Sequence, residues 1–350
     1  MKHEITLVLD TRFPGGTSSA VARELYALSE FARVRVVGIH SRMFKGNEDN
    51  PKLTAVFEEL GITPEYNPKT ITSETIVIHN PSFLKFNETL ETQFVCNRLI
   101  AVAHENFLRP NGAESFDVSK CLSLISQTSL ARQFFIAPVS GYNRGTVERW
   151  LKTSDANWHV TEFDWFNICD FEMCEPTSNP SDRRGRHSRA GFEKFPNNET
   201  MHLLFPQSAG YCGILGADSL IADSQHPKYW DLYKFQEIEV AKFLEKVDFF
   251  IYFTHPNLQE SFGRVIAEAI AAGKMVITDA LTAQTFGSAV SAALPKDVDA
   301  IIHGFIDDPQ AYQIHVKNAQ STLNRFSAEH LNSAIINVLN RPIEVEFDFM

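Results

Sequence analysis

Long apolar runs are absent from this sequence of 350 residues. The first apolar stretch, Ile5 to Asp10, has the length of a β-strand and is too short for the core of a signal peptide. Nothing further along approaches the roughly 18 consecutive apolar residues that span a membrane. The sequence therefore predicts a soluble protein and leaves contact with a membrane surface open.

Cysteine is scarce, and its spacing lacks the usual metal and redox patterns. The five cysteines form no Cys-x-x-Cys pair and have no histidine nearby at zinc-finger spacing. An odd number of scattered cysteines is typical of reduced thiols in the cytoplasm. We therefore predict a cytoplasmic protein, with the inner face of the membrane as a further location.

An excess of positive charge is also missing. Lys and Arg number 32 against 43 Asp and Glu, and the resulting net charge of −11 is divided almost evenly between the two halves of the chain. A domain that binds a polyanion normally has a basic excess, although a local basic cleft can exist in an acidic protein. We therefore expect no nucleic-acid partner. The oligomeric state is left open.

The first half of the chain alternates strand-like and helix-like segments. Four apolar runs have the length of strands: Ile5 to Asp10, Val34 to His40, Thr75 to Asn80 and Leu99 to Glu105. Gly15 and Gly16 form a turn after the first run, and an apolar helical stripe follows them. Strands separated by helices indicate a parallel, doubly wound sheet.

The second half repeats this alternation. Strand-like runs begin at His202, Cys212 and Asp248, and residues 239–247 carry their apolar side chains on one helical face. The polar sequence before Gly185 does not resemble a strand. A second doubly wound layer is therefore expected.

Two domains fit the length of the chain and its 44% of apolar residues. Regular periodicity fades after Thr153, and Pro176 and Pro180 follow among Ser, Asn and Asp. The sequence thus predicts an α/β protein with two Rossmann-like domains that face each other across a cleft. Their predicted ranges are 1–178 and 179–326, followed by a C-terminal helix and tail at 327–350 that packs back on the first domain.

One segment of the second half, residues 259–279, carries two carboxylates around a helix start. Glu260 follows a strand, where ligands of open parallel sheets bind, and Gly263 allows the backbone to approach a ligand closely. If both were helical, Glu260 and Glu268 would lie about 80 degrees apart, so they would contact different parts of one ligand. The alternative is a capped amphipathic helix with a solvated surface glutamate.

A basic cluster opens the second half. Arg183, Arg184, Arg186, Arg189 and Lys194 come together in an otherwise acidic protein. Arginine offers a planar fork for phosphate oxygens and lysine a compact charge, a combination that suits a diphosphate. The alternative is an exposed, solvated loop. Two carboxylates and two cations are the groups that a nucleotide sugar requires.

These residues resemble the retaining glycosyltransferases of family 4, which have the GT-B fold. The E-x7-E signature matches Glu260 and Glu268 with the Ala-rich helix between and after them, and the sequences GRHS and EK resemble the family's diphosphate-binding Arg and Lys. The resemblance extends from Ile5 to about Phe326 and is strongest to glycosyltransferases of bacterial surface polysaccharides and exopolysaccharides.

The resemblance implies a role for each matching residue. Glu268 would accept hydrogen bonds from the donor ribose, and Glu260 from hydroxyls of the donor sugar. Arg186 and Lys194 would hold the diphosphate. They are eight positions apart with Arg189 between them, so either Arg186 or Arg189 could be the arginine that contacts the diphosphate. The implied residues are, for catalysis, Glu260, His104, Lys194 and Arg186; for the donor, Glu268, Gly263, Phe262, Arg189, Gly15 and Gly16; and for the acceptor side, His79 and Asn80.

The implied reaction is sugar transfer from a nucleotide sugar to a saccharide or lipid-linked acceptor, with retention of configuration. Departure of the diphosphate would be stabilised by fixed cations, and no Asp-x-Asp motif follows a strand, so neither a metal nor a cofactor is expected. Two other readings stay open: a nucleotide-sugar epimerase or other GT-B enzyme, and a non-catalytic nucleotide-sugar-binding protein. For each histidine, a structural role at a strand end is the alternative. The sugar, base, acceptor and linkage are not indicated.

Overall fold

The computed structural model describes residues 3–223 and 226–341. Within it, one compact unit comprises the residues up to Ile168 together with those from Phe326 onward, and the other comprises Cys169–Arg325. The sequence placed the boundary at 178/179, ten residues later. The predicted tail beyond Arg341 lies outside the described residues.

The first unit is built on a parallel sheet. Its strands are β1 (His3–Leu9), β2 (Ala32–Gly38), β3 (Glu65–Tyr66), β4 (Thr70–His79), β5 (Gln93–Ala103), β6 (Ser129–Pro138) and β7 (His159–Val160). Its first helices are α1 (Gly16–Phe31), α2 (Pro51–Leu60), α3 (Val118–Gln127) and α4 (Gly141–Leu151). The strand order is β3-β2-β1-β4-β5-β6-β7, the Rossmann order extended by one strand.

The second unit has the same plan. Its strands are β8 (Arg183–His187), β9 (Tyr211–Leu215), β10 (Asp231–Tyr233), β11 (Phe249–Tyr252), β12 (Met275–Thr278) and β13 (Ser291–Ala292). Its helices are α5 (Asn198–Leu204), α6 (Asp218–Ala222), α7 (Val240–Leu244), α8 (Arg264–Ala271), α9 (Ala280–Phe286), α10 (Val298–Asp307) and α11 (Pro309–Thr322). The order β10-β9-β8-β11-β12-β13 confirms the predicted second parallel layer.

A last helix, α12 (Ala328–Leu339), belongs to the first unit. Its buried Asn332 donates a hydrogen bond of 3.0 Å to the carbonyl of Ala27 on α1. Leu331 and Ile335, one turn apart, are buried as well. The C-terminal helix is therefore buried on one side and joined to α1 by a hydrogen bond from Asn332.

Apolar burial explains why the central strands form where they do. In the first unit, Leu7, Ile76 and Leu99 are fully buried on neighbouring strands, and in the second, Phe249 and Ile277 are. Parallel strands covered on both faces require such continuous apolar runs. The strands β1, β2, β4, β5, β9 and β11 were accordingly predicted correctly.

Two parts of the second unit differ from the sequence interpretation. The apolar residues that begin at His202 end helix α5, which starts where Asn197 accepts a hydrogen bond from the Thr200 amide at 2.8 Å. The polar run before Gly185 is β8, a central strand between β9 and β11. It tolerates a buried Arg184 because carboxylates of Asp182 and Asp299 each lie 2.7 Å from its guanidinium.

Gly185 allows this strand to pack closely. A β-carbon at this position would lie 2.4 Å from Cγ1 of Val247, the buried residue that follows α7. No real side chain tolerates that distance, so β8 and the segment after α7 approach each other only because Gly185 has no side chain.

No helix of residues 3–223 and 226–341 is long and apolar enough to cross a bilayer. The five cysteines all lie in this range, and none of them is in a disulfide.

Candidate active site

Strand order reverses direction at one point in each sheet, between β1 and β4 in the first unit and between β8 and β11 in the second. In open α/β sheets, ligands bind beyond the carboxyl ends of the strands at this point. The candidate residues His79, Arg186 and Glu260 all lie at or just after the carboxyl ends of these strands.

Arg186 lies at the end of β8 and is fully buried. One terminal nitrogen donates to the carbonyl of Phe253 at 2.7 Å and the other donates to the carbonyl of Lys194. The guanidinium also stacks on the rings of Phe195 and Tyr252, 4.5 and 5.0 Å from their centroids. Arg186 thus ties the end of β11 to the backbone that presents Lys194.

The charge of Arg186 survives this burial. Burial lowers its pKa to about 10, and the neighbouring Tyr252 and Glu260 oppose that change. The guanidinium therefore remains protonated near neutral pH. Its Nε is buried with no hydrogen-bond partner among residues 3–223 and 226–341. Arg186 is thus a fixed cation that shares its neighbour Tyr252 with Glu260.

Glu260 is the centre of the second unit's site. It lies in the loop after β11, before helix α8 begins, and its Oε1 accepts from Nζ of Lys194 and, at 2.7 Å, from Oη of Tyr252. The side chains of Lys194 and Glu260 retain 12% and 14% exposure, so a ligand can reach both. An acceptor and a cation are held side by side.

The surroundings keep Glu260 ionised. Burial alone would raise its pKa, but the charge of Lys194 and the hydrogen bonds from Lys194 and Tyr252 outweigh burial and hold the pKa below its usual range. Burial, reinforced by the charge of Glu260, raises the pKa of the Tyr252 hydroxyl, which therefore stays a donor. At neutral pH the cluster contains one carboxylate and one ammonium group.

Helix α8 starts where Gly263 adopts φ of +88°, a conformation that side-chain-bearing residues rarely adopt. Phe262 is buried, and its ring centroid lies 5.8 Å from that of Phe286. Phe262 was assigned to donor binding, whereas the structure places its ring in the interior. Its contribution is to anchor the start of α8 beside Glu260.

Glu268 lies on α8, in the helix's second turn. It accepts from Nε of Arg264 at 3.1 Å, and its other oxygen lies 3.6 Å from Nε2 of His187. Burial lowers the pKa of His187 to about 3, so this ring is neutral at physiological pH. Glu260 and Glu268 therefore contact separate groups of the protein.

The basic cluster of the sequence divides into separate interactions. Arg183 pairs with the buried Asp248 at 2.7 Å, and Arg184 pairs with two aspartates, so both stabilise the sheet and do not face a ligand. Arg189 is 55% exposed and pairs with Glu193 at 2.7 Å. Within the basic cluster, Arg183 and Arg184 are thus paired with acidic residues, and neither was among the predicted diphosphate contacts.

The first unit brings two predicted histidines into contact. His79 ends β4 and His104 follows β5, and these strands are neighbours. Nδ1 of His79 lies 3.1 Å from Nε2 of His104, and Nε2 of His79 lies 3.4 Å from Oε1 of Glu24 on α1. Both His79 and Glu24 are buried. The three side chains form a continuous polar row beneath the carboxyl edge of the sheet.

Asn80 follows His79 and is held by its neighbours. It adopts φ of 55°, a conformation that asparagine tolerates better than most residues. Its amide nitrogen donates to Thr17 on α1 at 3.3 Å and its amide oxygen accepts from Ser82 at 2.9 Å. Asn80 therefore fixes the position of the strand end relative to the start of α1.

The glycine turn lies at the start of α1. Gly15 is the N-cap residue and Gly16 the first helical residue, and neither is in the left-handed region. A β-carbon on either glycine would meet no atom within 4 Å. Neither folding nor packing within the unit requires glycine here, and open space lies in front of this helix start.

The sequence interpretation missed Tyr252 and Glu24. Tyr252 lies inside an apolar strand, where nothing in the pattern distinguishes it from a core aromatic. Glu24 carried a signal that could have been found, because it lies three residues after Val21 and four before Leu28, on the buried face of α1. A carboxylate on an apolar stripe needs a buried partner.

Comparison with known proteins gives structural matches only. No family model matches the chain, and no curated protein matches it in sequence. Among solved structures, TarM, known from S. aureus, superposes with a TM-score of 0.65 at 9% identity over 97% of this chain and 99% of that one. Anabaena HepE in complex with UDP-glucose gives 0.62 at 14% identity over 96% of this chain and 99% of that one.

An alpha-glucosyltransferase in complex with UDP and a 13-mer DNA gives a TM-score of 0.60 at 10% identity, with 97% of this chain and 100% of that one covered. Likeness at such low identity defines the fold. Together with the two parallel Rossmann-like sheets, it shows that the chain has the two-domain α/β GT-B fold.

Proposed function

We propose that this chain is a glycosyltransferase that uses a nucleotide-sugar donor and retains the configuration of the transferred sugar, as the family 4 enzymes do. The observation that carries the proposal is the cluster of Glu260, Lys194 and Tyr252 at the switch point of the second sheet. It combines a hydroxyl-binding carboxylate with a cation suited to phosphate. Similarity to structures bound to UDP or UDP-glucose supports the same class of donor.

Each group has a distinct part in donor binding. Glu260 accepts hydrogen bonds from hydroxyls of the sugar, Lys194 contacts the diphosphate, and Glu268 binds the ribose. Arg186 does not contact the donor itself. Its hydrogen bonds to the carbonyls of Phe253 and Lys194 position Lys194, and its buried charge adds to the positive potential at the diphosphate. Arg189, which is exposed, is the alternative contact to the diphosphate.

The chemistry follows the movement of charge. Breaking the bond between the anomeric carbon and the phosphate oxygen produces an oxocarbenium-like sugar and a more negative diphosphate. Lys194 and Arg186 are fixed before reaction, so they stabilise the leaving group without reorganising. With this charge supplied by side chains, we propose that the reaction uses neither a metal nor a cofactor. The acceptor hydroxyl attacks the face that the leaving group vacates, and its proton passes to an oxygen of the departing diphosphate.

The first unit supplies the other groups. His104 contacts the transferred sugar, and the open start of α1 at Gly15 and Gly16 allows a ligand to approach the backbone. His79 and Asn80 support this edge of the sheet from within. These placements are proposals from the fold and from the resemblance.

For the acceptor, we propose a saccharide or lipid-linked saccharide of bacterial polysaccharide synthesis, used on the cytoplasmic side of the membrane. DNA is present in the complex of one structural neighbour, so it must be tested as well. The net charge of −11 favours a neutral acceptor over a polyanion, because repulsion would slow encounter with DNA.

Two measurements test the proposal. A thermal-shift screen of nucleoside diphosphates and nucleotide sugars identifies the donor, since a ligand at 100 times its dissociation constant adds about 2.7 kcal/mol of stability. Products are then analysed with the donor alone, with saccharide acceptors and with DNA. Transfer only when a saccharide is present supports the proposal. An altered donor sugar without any acceptor indicates an epimerase, and binding without product in any mixture indicates a non-catalytic binding protein.

A further inference from the structure

Glu24, His79 and His104 form a row of side chains, although a contact to the sugar would need only His104. Glu24 and His79 lie inside the first unit, and Glu24 has no part in the reaction as proposed. The atoms that join the three side chains are 3.4 and 3.1 Å apart. Oε1 of Glu24 and Nε2 of His79 are buried, and neither has a hydrogen-bond partner in the described part of the chain, so the contact between them is a polar pairing at 3.4 Å. Each is therefore left to the other.

Hydrogen-bonding rules give this row a direction. A carboxylate only accepts, so a proton on Nε2 of a neutral His79 is the arrangement that makes this contact favourable. A neutral imidazole has one donor and one acceptor, and Nδ1 of His79 is then the acceptor. Nε2 of His104 faces that acceptor and must carry its own proton. Nδ1 of His104 is left as an unprotonated acceptor.

The environment of His104 agrees with a neutral ring. Burial lowers its pKa well below the ordinary value, and a charge on His79 would lower it further. No hydrogen bond to Nδ1 of His104 is found within residues 3–223 and 226–341. An unengaged acceptor therefore lies at the carboxyl edge of β5, on the side of the ring away from His79.

We propose that Glu24 and His79 are positioning residues that fix the Nε2-protonated tautomer of His104, so that its Nδ1 accepts a hydrogen bond from a hydroxyl of the bound sugar. The assignment of the sugar rests on the proposed function, whereas the tautomer does not. The direction of the row is decisive, because the opposite tautomer would present a donor to the ligand. Glu24 thereby determines whether Nδ1 of His104 accepts a hydrogen bond from the ligand or donates one to it.

The tautomer is measured directly by nitrogen-15 NMR of the imidazole rings in the full chain without ligand. His79→Gln and His104→Gln identify the two resonances among the 12 histidines. We expect Nδ1 of His104 to be unprotonated and Nε2 to be protonated. In Glu24→Gln, whose amide both donates and accepts, and in Glu24→Leu, which does neither, we expect a mixture of tautomers at His104.

Glu30→Gln is the matched control, since Glu30 lies on the same helix and contacts Asn332 instead of a histidine. It should keep the wild-type tautomer. Protonation of Nδ1 of His104 in the wild-type chain overturns the proposal without any variant. An unchanged single tautomer in both Glu24→Gln and Glu24→Leu overturns the part assigned to Glu24.

A functional measurement completes the test. With UDP-glucose as the probe donor, or with the donor that the thermal-shift screen identifies, Glu24→Gln should lower kcat/KM on the order of tenfold, the effect of one lost hydrogen bond. The dissociation constant of the nucleoside diphosphate alone should not change, because it lacks the sugar. Equal losses for both ligands contradict the sugar contact. Failure of the wild-type chain to use any donor contradicts the proposed function and leaves the NMR result valid.

Discussion

Glu260 and Lys194, which are 66 positions apart in sequence, form an ion pair at the carboxyl end of β11, and Tyr252 donates to the same carboxylate oxygen at 2.7 Å. The pair is mostly buried, and the backbone of Lys194 is held by Arg186, whose guanidinium donates to two backbone carbonyls. Opposite charges are thus held ready before a ligand arrives. Such preorganisation is what stabilisation of a departing diphosphate requires.

Replacing Glu268 should weaken nucleotide binding and leave the fold intact. Glu268→Ala removes a charged hydrogen-bond acceptor that we assign to the ribose, so we expect a loss of about 1.5 to 3 kcal/mol in binding free energy. Isothermal titration calorimetry with the nucleoside diphosphate measures this loss. Glu245→Ala, at an exposed position after α7, is the control and should bind normally. Unchanged affinity in Glu268→Ala would remove this carboxylate from the site.

The two candidate arginines should behave differently. Arg186→Lys cannot keep both carbonyl bonds and the ring stacking, so we expect a loss of about 1 to 3 kcal/mol in unfolding free energy, together with reduced turnover. Arg189→Ala removes an exposed ion pair, which is worth at most about 1 kcal/mol, and should leave turnover nearly unchanged. Denaturant unfolding and initial rates check both variants. If Arg189→Ala loses more turnover than Arg186→Lys, Arg189 is the contact to the diphosphate.

Removing Lys194 should change how stability depends on pH. In the wild-type chain the pKa of Glu260 lies below its ordinary value of 4.5, so its contribution to stability is present above that value and is lost as pH falls through the lower folded-state pKa. In Lys194→Met, the effect of burial on Glu260 is opposed only by the weaker interactions with Tyr252 and Arg189, so the pKa of Glu260 should rise above its ordinary value. The folded state then binds the extra proton, and stability falls as pH rises toward neutral.

Urea titrations at several pH values measure this difference. The gap in unfolding free energy between the wild-type chain and Lys194→Met should widen from mildly acidic to neutral pH. Lys242→Met is the matched control, because Lys242 and Glu239 form an exposed pair whose side chains are mostly solvated. A gap that does not vary with pH would show that Lys194 does not control the ionisation of Glu260.

Much of the fold was predictable, because its central strands are uninterrupted apolar runs. Strand β8 was not, since its burial depends on pairing Arg184 with Asp182 and with Asp299, more than a hundred positions away. Strand β6 was also missed, as its first half alternates with exposed polar residues such as Arg132. Propensity and periodicity describe neighbours in sequence, whereas both strands form through distant partners.

In the candidate site, too, individual residues could be predicted from the sequence, whereas their contacts could not. Glu260 was predicted from its place after a strand, and the roles of Glu268 and Lys194 were implied by the resemblance to family 4. Their contacts were not predictable, because Tyr252 comes from the preceding strand and the carbonyls that hold Arg186 come from two separate loops. For the same reason the sequence could not separate Arg186, which is buried, from Arg189, which is exposed.

The most direct test of sugar transfer by leaving-group stabilisation is the turnover of Lys194→Ala at saturating donor, compared with Lys242→Ala as a control for loss of a surface lysine. An interaction that strengthens in the transition state lowers kcat more than it raises the KM for the donor. We expect a loss of about 2.7 to 4 kcal/mol, on the order of a hundredfold to a thousandfold in kcat, with the control unaffected. Full turnover by Lys194→Ala at saturating donor would contradict the mechanism at its central step.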